Sequence, residues 1–86
     1  MAWTIEFTAK AEKALAKMDK PTASRIVRFL LDRAATEPRG SGKSLSGPLG
    51  EFWRYRVGDY RVLAKIEDER LVVLVVDVGH RSQVYK

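Results

Sequence analysis

Eighty-six residues and 9.8 kDa make one small domain, residues 1–86, with room for a single thin core. The absence of cysteine excludes disulfides and thiolate metal sites, and no apolar run reaches membrane-spanning length. The net charge of +5 and the pI near 9.8 point to an anionic partner. The charge is uneven: residues 39–65 hold six basic and two acidic side chains, the footprint expected of a contact with nucleic acid. The first residues lack a signal peptide's apolar core, so a cytoplasmic location is expected, with no membrane partner.

In chain order, Trp3 to Phe7 alternates apolar and polar and reads as a first strand. Thr8 is placed to cap a helix whose apolar positions are Ala11, Ala14, Leu15 and Met18. Asp19-Lys20-Pro21 is a break, with Pro21 suited to the first turn of a second helix. Its stripe runs through Ala23, Ile26, Val27, Leu30, Leu31 and Ala34 to about Glu37, where Pro38 stops it. Residues 39–50 are rich in glycine and serine and read as a flexible loop. Gly40-Ser41-Gly42-Lys43-Ser44 resembles the end of a phosphate-binding P-loop. However, Glu37 stands where that motif needs glycine, and the flanking elements come in the wrong order. Lys43 remains a candidate phosphate contact.

The hairpin that follows is the most informative stretch. Gly58-Asp59 is a two-residue connection of the glycine-first kind. It pairs Val57 with Tyr60, Arg56 with Arg61 and Tyr55 with Val62. Strand alternation then puts Trp53, Tyr55, Val57, Tyr60, Val62, Ala64 and Ile66 on one face. Arg54, Arg56 and Arg61 share the other, with Leu63 and Lys65 further along. Like charges opposed across a strand pair are unfavourable, so three guanidiniums on one face predict an anion, and arginine forks match phosphate oxygens. Glu67 to Arg70 is a polar turn. Leu71 to Val78 is apolar on both faces apart from Asp77, as in a central strand, and Gly79 is expected to end it.

The order β-α-α-β-β-β predicts an α+β fold: a two-helix hairpin packed on one face of a small, mostly antiparallel sheet. The other face is left open, and the arginines lie on it. His80 is the single histidine, without a partner for a metal site, and is a candidate proton carrier or RNA contact. Asp77 and Glu51 form no evident carboxylate pair, so metal-dependent cleavage is not expected.

Three stretches, Lys43 to Gly50 (KSLSGPLG), Trp53 to Val62 (WRYRVGDYRV) and Val78 to Tyr85 (VGHRSQVY), together resemble the RelE branch of the RelE/ParE toxin superfamily. The resemblance spans nearly the whole chain and implies the toxin of a type II toxin–antitoxin pair, kept silent by a RelB-like antitoxin. It implies a metal-independent endoribonuclease without cofactor that enters the ribosome and cuts mRNA in the A site. The RNA's own 2′-OH attacks the phosphate. Arg54 and Arg56 stand where RelE toxins carry lysines that bind the phosphate and help proton transfer. Arg61 matches an arginine that stabilises the transition-state phosphate. Arg81 matches one of two C-terminal phosphate-binding arginines, and Tyr85 matches a tyrosine that stacks on the substrate base. Beside these, Lys43, Lys65 and His80 are candidate RNA contacts from their own positions in the chain. Guanidiniums at 54 and 56 are poor general bases because their pKa exceeds about 12, so the base falls to Tyr85, His80 or a water. Two other functions fit a basic domain of this kind: a ParE-like gyrase inhibitor and a non-catalytic RNA-binding module.

Overall fold

The computed structural model describes residues 3–45 and 51–80. Strand β1 (Thr4–Phe7) leads into helix α1 (Ala9–Ala16) and helix α2 (Lys20–Phe29), which is continued by a π-helical turn over Leu30–Ala34. Strands β2 (Lys43–Ser44), β3 (Trp53–Val57), β4 (Tyr60–Glu67) and β5 (Val72–His80) follow. They form one five-stranded sheet in the order β1-β5-β4-β3-β2. Among the described residues only the β1–β5 pair is parallel. This is the expected α+β architecture, with one short edge strand added.

The helices start where their caps dictate. Thr8 accepts a hydrogen bond from the backbone N–H of Ala11 at 3.1 Å, and its hydroxyl donates to the carbonyl of Val76 at 2.8 Å. One side chain therefore caps α1 and ties it to β5. Asp19 caps α2 through the N–H of Thr22 at 3.2 Å, and Pro21 occupies the first turn. The apolar sides of both helices meet the sheet. Ala11, Ile26, Leu30 and Ala34 are buried against Tyr55, Val57, Val62, Ala64, Val73, Val75 and Val78. Leu30 is fully buried, and a side chain of that size contributes about 1.5–3 kcal/mol through burial.

Two expectations are corrected. The segment after Pro38 is not a free loop at its centre. Trp53 Nε1 donates to the carbonyl of Ser41 at 2.7 Å, and the buried Tyr55 hydroxyl donates to the carbonyl of Pro38 at 2.6 Å. These two bonds draw residues 38–44 onto β3, where Lys43 pairs with Arg54 and Ser44 with Trp53. Gly42 makes this possible: its φ is +81°, and a Cβ there would stand 2.4 Å from the carbonyl oxygen of Arg54. Nor does Gly79 end the last strand. β5 continues to His80 because β4 offers it a partner, with Arg61 against Gly79 and Tyr60 against His80.

The apolar run of β5 serves both faces through a bulge. Leu63 pairs with Asp77 but Ala64 with Val75, so Val76 is an extra residue. The bulge shifts the alternation by one and keeps Val73, Val75 and Val78 all in the core.

Candidate nucleic-acid interface

The hairpin register matches the expectation: Val57 opposes Tyr60, Arg56 opposes Arg61, Tyr55 opposes Val62 and Arg54 opposes Leu63. Gly58 takes φ +60° at the turn. Directly opposed residues share a face, so rows of side chains can be followed across the sheet. One row on the face away from the helices runs Lys43, Arg54, Leu63, while Asp77, opposite Leu63 beside the β5 bulge, turns its carboxylate to Lys10 of α1. The next runs Arg56, Arg61, Gly79. A third has Lys65 beside Leu74 and Glu6. The structure therefore brings Arg54, Arg56, Arg61 and Lys43 together and places Lys65 at the far end of the same face.

This face is less open than alternation alone suggests. Arg61 is only 9% exposed and Leu63 is buried, while Arg54 is half-buried and Arg56 exposed. The gradient follows position in the sheet. β4 is the central strand, shielded on both flanks, whereas β3 lies one place from the edge. Arg61 has one hydrogen bond among the described residues, from Nη1 to the carbonyl of Tyr60 at a long 3.4 Å, and forms no ion pair there. A guanidinium offers five donors, and a buried charge is costly until it is paired. The cation at Arg61 is thus held in place with most of its donors left to water or a ligand, next to a second cation at Arg56.

His80 does not join this group. It follows Gly79 on β5 and so points to the helix side, where its ring meets Tyr60 edge-on with centroids 5.7 Å apart. There it lines a groove of about 590 Å³ together with Lys10, Lys13, Lys17 and Asp77. Asp77 pairs with Lys10 at 3.4 Å and accepts the N–H of Val78. Arg81 and Tyr85 lie outside the described residues.

The sequence reading missed the two aromatic clamps that set the position of Lys43. Alternation puts Trp53 and Tyr55 on the apolar face, which they do occupy, but each also spends its polar atom on the preceding loop. Burial pushes the Tyr55 hydroxyl up to about 12, and the nearby Arg39 guanidinium opposes that rise in part. The signal available in the sequence was Gly42, a second glycine two residues after Gly40 and eleven before Trp53.

Comparison with known proteins gives the chain's family and the relatives of its fold. A model of ParE toxins of the type II toxin–antitoxin system, parDE, matches residues 5–85. Toxin RelG of Mycobacterium tuberculosis is 33% identical over 86 residues, covering 100% of this chain and 99% of that one. The toxin–antitoxin complex RelBE2 from the same organism contains a chain of like fold, with TM-score 0.89 and 31% identity over 96% of this chain and 95% of that one. The archaeal RelE–RelB complex of Pyrococcus horikoshii gives TM-score 0.77 and 26% identity, covering 98% and 100%. A toxin-family match over almost the full length, on a fold that gathers arginines on one sheet face, identifies the chain as a member of the RelE/ParE family of type II toxin–antitoxin toxins.

Proposed function

We propose that this toxin is an endoribonuclease of the RelE kind, which cuts mRNA in the ribosomal A site at a phosphate gripped by Arg61 and Arg56. The observation that carries the proposal is Arg61: an arginine 9% exposed as a residue, with a single long hydrogen bond and no carboxylate partner among the described residues. A buried cation of this kind is a prepaid electrostatic site for charge that develops on a substrate. The 2′-oxygen attacks the adjacent phosphorus as its proton leaves to a base. The P–O5′ bond breaks, and the 5′-oxygen takes up a proton. The products are a 2′,3′-cyclic phosphate and a 5′-OH end. The nucleophile belongs to the substrate, so the protein has to supply alignment, charge and proton transfer.

Within this scheme Arg61 and Arg56 neutralise the phosphorane oxygens, and Arg54 and Lys43 hold the strand on the adjoining row. Arg81 is assigned to the same phosphate and Tyr85 to the base or the proton. His80 faces the other side of the sheet, so the base is assigned to Tyr85 or a water. We assign the partner as a RelB-like antitoxin that covers the arginine face, because the related toxins are found in such complexes, and the location as the cytoplasm, where ribosomes are.

The test is induction in a heterologous bacterium followed by 5′-end mapping of mRNA, with and without the adjacent gene. Codon-positioned cuts that need ribosomes support the proposal, and Arg61→Ala and Tyr85→Phe should each relieve growth arrest. Unchanged toxicity in both variants would refute the assignment. The second reading, gyrase poisoning, is favoured by the ParE name of the matching family model. It predicts gyrase-dependent DNA breaks and intact mRNA.

A further inference from the structure

A second group of arginines stands at the end of the hairpin, on the helix side. Arg25 and Arg28 lie three residues apart on α2, and with Arg33 on the π turn and Arg56 on β3 they line a cleft of about 330 Å³. Arg25 reaches the hairpin turn itself: a Cβ on Gly58 would stand 3.3 Å from its Nη1. None of the four forms an ion pair among the described residues, and Asp32, the one carboxylate in the lining, pairs with none of them. Arginines three apart on a helix repel one another, and four guanidiniums facing a single carboxylate favour a phosphate. β2 pairs only with Trp53 and Arg54, so the outer edge of β3 beyond them has no strand beside it among the described residues. Arg56 therefore belongs to both groups. It opposes Arg61 across the hairpin and lines the α2 cleft.

We infer that the Arg25–Arg28–Arg33 cluster is a second phosphate subsite, which holds a phosphodiester of the same mRNA strand next to the one at Arg61. The strand crosses the edge of the sheet at Arg56 and continues over α2. This inference rests on the RNA-cleaving reading above and adds the direction in which the substrate leaves the site.

The test is equilibrium binding of the full chain to a short single-stranded RNA, read by fluorescence anisotropy over a range of salt. Arg25→Gln combined with Arg28→Gln should weaken binding about tenfold. It should also flatten the slope of log affinity against log salt by about 0.7, the loss of one neutralised phosphate on a single strand. Lys13→Gln with Lys17→Gln removes the same charge from α1 and should change the slope less. Replacing single phosphates of the RNA by neutral methylphosphonates, one at a time, should reveal one position that weakens binding to the wild type but not to the arginine variant. A slope and affinity equal to those of the lysine control, or no such position, would overturn the inference. Unchanged RNA binding together with weaker binding to ribosomes would overturn it too, by assigning the cluster to ribosomal RNA. The cleavage reading fails by a separate result: an Arg61→Ala chain that still cuts mRNA on programmed ribosomes at the wild-type rate.

Discussion

Replacing Arg61 by leucine should make the protein more stable and inactive at once. The native fold holds this arginine at 9% exposure as a residue, with one hydrogen bond of 3.4 Å from its guanidinium. Leaving a buried polar group unsatisfied costs about 1–3 kcal/mol, and more when it is charged. No Arg61 nitrogen is both shut off from water and without a partner, so Arg61 sits at the bottom of that range. The arginine directly across the hairpin, Arg56, adds a like-charge penalty of a few tenths up to about 1 kcal/mol. Against these gains stands the packing of the arginine's own aliphatic stem, which leucine replaces only in part. The balance is a stabilisation of about 1–2 kcal/mol, a rise of about 4–16 °C in Tm for a domain of this size. Urea unfolding followed by tryptophan fluorescence should show a higher midpoint with an unchanged slope. Cleavage of mRNA on ribosomes should fall about 100-fold or more, the usual loss when a preorganised donor to a developing oxyanion is removed. If Arg61→Leu instead lowers stability by about 1 kcal/mol or more, the native fold already satisfies the guanidinium. The claim that it waits for a phosphate would then be wrong.

Other outcomes follow from the clamps on the loop before β3. Tyr55→Phe leaves the buried carbonyl of Pro38 without its donor and should cost about 1–2 kcal/mol in chemical denaturation. Because burial raises the folded-state pKa of Tyr55 to about 12, above the unfolded value near 10, the folded state retains a proton that the unfolded state loses. Stability linked to Tyr55 is therefore fully present below pH 10 and falls as pH rises from about 10 to 12, and Tyr55→Phe should remove that part of the slope in an alkaline unfolding series. Gly42→Ala forces a side chain into left-handed backbone and against the carbonyl of Arg54. It should destabilise the chain by about 2 kcal/mol or more and remove the amide protection of residues 43–44 in hydrogen exchange. Leu30→Ala, at a fully buried core position on the π turn, should cost about 2–5 kcal/mol and leave the RNA-binding face intact once folded.

Local rules determined much of this protein. The two-residue turn at Gly58-Asp59 fixes the register of β3 and β4, and period-two alternation then places Arg54, Arg56 and Arg61 on one face without knowledge of the rest of the chain. Thr8, Asp19 and Pro21 mark the helix starts because capping is a matter of a few neighbouring residues. What those rules do not reach is set by contacts between residues far apart in sequence. Arg61 is buried because β4 lies between β3 and β5, and strand order is a property of the whole sheet. His80 is separated from the arginines because β4 extends β5 past Gly79 and Tyr60 receives its ring. Val76 becomes a bulge because the core needs Val78 as well as Val73 and Val75. Lys43 meets Arg54 only through two aromatic hydrogen bonds across the preceding loop. The sequence by itself supplied the charges and the face they share. The tertiary structure decided which of them is shielded from water, and shielding turns a row of like charges into a site for an anion.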